Sequence, residues 1–140
     1  MTTALIGLGS NIEPEEHLLK GAQSIRRRFP HVNFSAVYHS KAVGMEGDDF
    51  LNACCLLSDV PEREQLIEWL KQIEDEHGRD RSEGSWKPRT LDLDLLVYDD
   101  EVLDDDLHRY AHVYVPAAEL IPVEAPNHEN SVVKKVELNL

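Results

Sequence analysis

The stretch Leu91-Asp92-Leu93-Asp94-Leu95 constrains this chain more than any other. Leu91, Leu93 and Leu95 alternate with Asp92 and Asp94, the period of a β-strand with one face buried. Two carboxylates at i and i+2 leave the same face, roughly 6.5–7 Å apart along the strand. That reach suits two metal ions about 3.5–4 Å apart, or one ion gripped from both sides. Oxygen ligands with no Cys and no paired His beside them point to Mg²⁺ rather than zinc. Arg89 precedes the acids from a loop, so a guanidinium for phosphate lies next to carboxylates for Mg²⁺, the parts that phosphoryl transfer needs. The bland alternative is a solvated strand face. Asp is depleted in strands, however, and two of them opposite a pure Leu face weaken that reading.

Charge sharpens the same point. The 140 residues carry a formal net charge of −13, which disfavours nucleic acid and anionic membranes as partners. It also disfavours an anionic ligand unless positive charge is gathered locally. Arg79, Arg81, Lys87 and Arg89 do this: they are four of the 14 Lys and Arg residues, all within one loop. The length predicts a single domain over 1–140 that buries roughly two-thirds of its unfolded surface. Neither a membrane-length apolar run nor a signal-peptide pattern is present, and Cys54 and Cys55 are adjacent. Reduced thiols and a cytoplasmic protein are expected.

Along the chain, Ala4–Leu8 reads as a buried strand broken by the turn Gly9-Ser10-Asn11. Leu18, Ala22, Ile25 and Phe29 recur at helical spacing over Glu15–Phe29, with acids at the start and Arg26-Arg27-Arg28 at the end, matching the macrodipole. Val32–Tyr38 reads as a strand, and Ser40–Asp49 as a loop of about ten residues, long enough for a lid. Phe50–Ser58 is a third strand in which Asn52 interrupts an apolar run and requires a partner. Pro61–His77 is a second helix with Leu66, Trp69, Leu70 and Ile73 on its buried stripe. After the basic loop come Leu91–Val97 and a hairpin to Val102-Leu103. The acidic run Asp104–Asp106 is expected as a solvated loop, Val115–Leu120 as a short helix, and Ser131–Leu140 as a helix or strand. The order β-α-β-β-α-β plus a hairpin predicts an α+β, ferredoxin-like plait with an antiparallel sheet.

From residue 1 to about 103, the chain resembles the 6-hydroxymethyl-7,8-dihydropterin pyrophosphokinase family of folate biosynthesis. The residues that carry the likeness are Gly9-Ser10-Asn11, Phe50-Leu51-Asn52-Ala53, and Gly78-Arg79-x-Arg81 followed by Trp86-x-Pro88-Arg89-Thr90-Leu91-Asp92-Leu93-Asp94. The resemblance implies an enzyme that moves diphosphate from ATP to the pterin hydroxymethyl group. It implies Asp92 and Asp94 as ligands of two Mg²⁺ ions, and Arg79 and Arg89 as catalytic, phosphate-binding side chains. It further implies Arg81, Trp86 and Leu95 on the ATP side, and Val43, Gly44, Phe50 and Asn52 on the pterin side. A monomer acting on small molecules is expected. One departure stands out: the family's His-Pro pair and following loop are replaced by the shorter Leu107–Pro116, with Tyr110 where a second Arg is expected and His112 where a second aromatic is expected. His108 and Arg109 are the candidate partial substitutes. A diverged transferase for another hydroxymethyl acceptor, and a non-catalytic binding domain, are the competing readings.

Overall fold

The computed structural model describes residues 2–40, 50–77, 91–122 and 133–140. In chain order the elements are β1 (Thr3–Ser10), α1 (Pro14–Arg28), β2 (Val32–Phe34), β3 (Val37–Ser40), β4 (Phe50–Ser58), α2 (Arg63–Glu76), β5 (Asp92–Tyr98), β6 (Glu101–Val102), α3 (Asp106–Arg109), α4 (Ala111–Ala118) and β7 (Lys134–Val136). The sheet runs β6-β5-β1-β4-β3-β7, with β2 also paired to β4, and every pairing is antiparallel. The four strands β5-β1-β4-β3, with α1 and α2, give the expected α+β plait.

Period 2 divides the sheet into two unlike faces. Ala4, Ile6 and Leu8 of β1 join Leu51, Ala53, Cys55 and Leu57 of β4 and Leu93 of β5 in one core. Leu18 and Ile25 of α1 and Leu66, Leu70 and Ile73 of α2 close over it. Burial of each of these larger side chains contributes about 1.5–3 kcal/mol. Gly21 lets α1 approach closely, since a Cβ there would lie 2.9 Å from Leu91 Cδ2. Trp69 packs at the edge of this core, its ring 5.6 Å from Phe29. The Arg triplet is structural: Arg26 lies over the Phe34 ring and donates to the Leu140 carbonyl, and Arg28 donates to Gln72.

On the other face, α3 and α4 cover only one end. Leu107 and Ala117 pack there on Leu5, Cys54, Leu96 and Val97. Glu119, just past α4, accepts the Tyr38 hydroxyl at 2.6 Å and the Ala36 N–H at 3.2 Å, which ties this helix to β3. Burial, then the Glu119 hydrogen bond and charge, push the Tyr38 hydroxyl up to about 12.

Several boundaries differ from the sequence expectation. The second strand divides into β2 and β3, because Ser35-Ala36 adds a residue opposite β4 and shifts the register between them. Ser35 bridges the break by accepting the Cys54 N–H with its hydroxyl at 2.8 Å. In β5, register jumps from Ile6↔Leu95 to Leu5↔Val97, so Leu96 bulges and the Leu/Asp alternation ends there. The acidic run is not a plain solvated loop: Asp106 opens α3, and Asp104 Oδ1 accepts its N–H at 3.0 Å. The expected helix at 115–120 begins earlier, at Ala111, and is preceded by α3. The C-terminal segment forms strand β7 on the edge of β3.

Candidate active site

The uncovered part of the second face is a cleft of about 230 Å³. Its floor comes from the period-2 positions opposite the helical core. On β1 these are Gly7 and Gly9, which have no side chain to fill the space. A Cβ at Gly7 would stand 3.2 Å from Leu96 Cδ1, and one at Gly9 would stand 3.4 Å from Asn52 Oδ1. Leu96 therefore covers Gly7, while Gly9 keeps the backbone open between the side chains of β4 and β5.

Pairing fixes which side chains flank the two glycines. Gly9 is in register with Asn52 on one side and Asp92 on the other. Gly7 is likewise flanked by Cys54 and Asp94. Strand spacing puts the amide row and the carboxylate row roughly 9–10 Å apart. On the amide side, Asn52 is buried and donates to Ser40 Oγ at 2.7 Å, which supplies the partner that an Asn in an apolar run requires. Phe50 lines the same end of the cleft.

On the carboxylate side, Asp94 is pushed up to about 7. Burial within the cleft is the largest cause, followed by the charges of Asp92, Asp104 and Glu74. Its surface is open to water at the mouth, while the walls displace much of the surrounding solvent. Asp92, Asp94, Asp104 and Asp106 line the cleft, an acidic lining that suits a cation. Among the described residues, no group of three His, Cys, Asp or Glu side chains is placed to hold a metal. Two carboxylates with the remaining ligands from phosphate and water is the pattern of Mg²⁺, not of a structural metal cage.

Glu74 is a buried acid next to the site that sequence reasoning missed. It is 4% exposed, and its Oε2 accepts the N–H of Leu93, the residue between the two acids, at 2.8 Å. Here α2 reaches under β5 and supplies an acceptor where the strand lacks a neighbour. A signal exists in the spacing: Glu74 falls four residues after Leu70, beside Ile73, on the buried stripe of α2.

The remaining candidates divide by location. Leu95 lies across the sheet from the acids, packed on the helical core, and does not line the cleft. His112 and Val113 of α4 do line it. His108 lies instead in a separate apolar hollow with Val97 and Leu107. Val43 and Gly44, and Arg79, Arg81, Trp86 and Arg89, lie outside the described residues, as does the Arg109 side chain.

Comparison with known proteins gives the family. The family profile for 7,8-dihydro-6-hydroxymethylpterin-pyrophosphokinase matches residues 5–122, a span that includes both acids, Asn52 and α4. The chain belongs to this family. Relatives named 2-amino-4-hydroxy-6-hydroxymethyldihydropteridine pyrophosphokinase bear out the assignment. The one from Synechocystis sp. is 35% identical over 130 residues, 85% of this chain and 66% of that protein. That from Aquifex aeolicus is 32% identical over 117 residues, 82% of this chain and 72% of the relative. That from Haemophilus influenzae is 34% identical over 132 residues, 86% and 82%. Within the pyrophosphokinase family frame, the cleft divides into a carboxylate side on β5 and an amide side on β4. Among the described residues, no helix is long and apolar enough to cross a membrane.

Proposed function

We propose that this chain transfers diphosphate from ATP to the hydroxymethyl group of 6-hydroxymethyl-7,8-dihydropterin, giving AMP and the pterin diphosphate in folate biosynthesis. The observation that carries the reading is the row Asn52–Gly9–Asp92. It sets a heterocycle-sized amide site beside a cation-binding pair, with only backbone between them.

In this reaction the hydroxymethyl oxygen gives up its proton to solvent and bonds to the β-phosphorus of ATP, while the bond from that phosphorus to the α,β-bridging oxygen breaks and AMP leaves with that oxygen. Asp92 and Asp94 would hold Mg²⁺, two ions by the family resemblance, which when bound neutralise the phosphate charge. Asn52 and Phe50 orient the pterin, the amide by hydrogen bonds and the ring by its face. Open backbone at Gly9 lets the phosphate chain lie against the sheet. Glu74 holds Leu93, and so sets the direction of both acids. Arg79 and Arg89 stabilise charge moving toward AMP, with Arg81, Trp86 and the Leu95 region on the nucleotide side and Val43 and Gly44 on the pterin side. The chain contributes positioning and charge, and no covalent nucleophile.

The deciding experiment mixes purified protein, ATP, MgCl₂ and 6-hydroxymethyl-7,8-dihydropterin. AMP and pterin diphosphate should appear in equal amounts. ATP binding that requires Mg²⁺, with no AMP formed, would replace this reading with a diverged transferase. The short Leu107–Pro116 segment, which brings His112 to the cleft wall, is the observation that favours that second reading.

A further inference from the structure

Glu119 ends α4 and uses both of its carboxylate oxygens on one strand. Oε2 accepts the Tyr38 hydroxyl at 2.6 Å, and Oε1 accepts the Ala36 N–H at 3.2 Å. The carboxylate thus straddles Val37, which is wholly buried in the core of the opposite face. Ala36 lies in the break between β2 and β3, so its N–H is outside the ladder with β4. Hydrogen bonds to an ionised carboxylate are shorter and stronger than neutral ones. Burial, then Glu119, keeps the Tyr38 hydroxyl protonated up to about 12, so it stays a donor.

The two elements joined by this clasp are two walls of the cleft. Ser40 of β3 lines it beside Asn52, and Val113 of α4 lines it from the other side. Tyr38 is in register with Asn52, so it extends the row Asn52–Gly9–Asp92 by one strand. α4 has little apolar anchorage of its own: its fully buried side chains are Ala111, Pro116 and Ala117, all small. A helix rises about 1.5 Å per residue, so a shift at Glu119 is carried roughly 9 Å along α4 to Val113.

We propose that Glu119 and Tyr38 are positioning residues for the acceptor. Their bond sets how far α4 stands from β3, and with it the spacing between Ser40 and Asn52 on the sheet and Val113 on the helix. Neither side chain touches the acceptor in this assignment. A planar ligand is held in reacting geometry only while the two walls keep their spacing. The role rests on the pterin acceptor proposed above.

The test makes two measurements on wild type, Tyr38→Phe, Glu119→Gln and Glu119→Ala. The first is steady-state kinetics with 6-hydroxymethyl-7,8-dihydropterin and Mg-ATP varied in turn. In Tyr38→Phe, which deletes one hydroxyl, kcat/KM for the acceptor should fall about tenfold while the ATP KM stays within about twofold. Glu119→Ala releases both bonds and should lose more. Glu119→Gln keeps a carbonyl oxygen and should recover much of the loss. Adding Tyr38→Phe to Glu119→Ala should cost little further, because both changes act through one bond. Unchanged acceptor kinetics, equal losses toward ATP and acceptor, or additive losses overturn the proposal. The second measurement needs no acceptor. Cys54 is 1% exposed with its sulfur 3.9 Å from the Val113 carbonyl, whereas Cys55 lies in the helical core on the opposite face. Alkylation by iodoacetamide, located by mass spectrometry, should quicken about fivefold or more at Cys54 in Tyr38→Phe and Glu119→Ala and leave Cys55 protected. Faster labelling at both thiols, or at neither, overturns the proposal. Wild type that forms no AMP from this acceptor overturns the proposed function and the acceptor role with it, and the labelling tells that failure apart from a failure of the clasp.

Discussion

Asn52 and Asp92 stand in one row of the sheet, each in register with Gly9 between them. This places a buried amide and a cleft carboxylate on the two strands that flank β1, with Gly9 between them. Diphosphate transfer needs that separation filled by phosphate and hydroxymethyl, not by protein.

Gly9→Val should therefore close this opening. A Cβ at Gly9 already reaches 3.4 Å from Asn52 Oδ1, and the added methyls occupy the space beyond it. We expect kcat/KM to fall by about 10²-fold or more, the scale of an ångström-sized misplacement. The thermal midpoint should shift much less, because the site faces the cleft. Kinetics beside a melting curve checks this, and near-normal turnover would show that the opening is not on the reaction path.

Asp94→Asn should cost at least about 10³-fold in kcat/KM. A metal ion contributes several kcal/mol of charge stabilisation, and each 1.36 kcal/mol is a factor of ten in rate. The measurement is AMP formation as a function of Mg²⁺. Turnover that survives the substitution would refute the metal assignment.

The pH dependence follows from the same residue. Asp94 is held near 7 in the folded chain against 3.8 for an ordinary Asp, so between these values the folded state keeps a proton that the unfolded state has lost. Its contribution to stability is present below about pH 4 and is lost as pH rises through about 7. In EDTA, wild type should lose thermal stability over that window, and Asp94→Asn should show a flatter profile. Mg²⁺ should restore wild type above pH 7 by pairing with the ionised form, and should leave the Asn variant nearly unchanged. Parallel profiles for the two proteins in EDTA would count against the raised value.

Glu74→Leu should destabilise the chain by about 1–3 kcal/mol, the cost of leaving the buried Leu93 N–H without its acceptor. Glu74→Gln retains an oxygen for that bond and should be close to neutral in stability. The Gln variant also removes one of the charges raising Asp94, so its stability profile should bend at lower pH. Urea titrations of both variants at two pH values separate the hydrogen bond from the charge. Equal losses for Leu and Gln would mean that the bond to Leu93 contributes little.

Much of this is legible in the order of the amino acids. Leu91 to Leu95 announce a strand with two faces, and that face assignment is what the fold uses, with Leu93 buried and Asp94 open to the cleft. The 3.6-residue spacing of Leu18, Ala22 and Ile25 and of Leu66, Leu70 and Ile73 marks both helices to within two residues of their ends. An Asn at position 52 needs a partner, but nothing local says which one. Ser40 is brought opposite it by the β3–β4 pairing rather than by any pattern in the neighbouring residues.

The misses have a common origin. The division of β2 from β3, the Leu96 bulge and the role of Glu74 all depend on where a backbone N–H finds its acceptor across the sheet. Sequence periodicity reports which face a side chain takes, because that depends on φ and ψ alone. By itself the sequence determined strands β1, β4 and β5, helices α1 and α2, and the acidic pair. Tertiary structure decided that Gly9 lies between Asn52 and Asp92, that α4 carries His112 to the cleft wall, and that Glu74 holds Leu93. Those relations join residues far apart in the chain, and their selection is made by the hydrophobic closure of α1 and α2 over one face, which leaves the other face for chemistry.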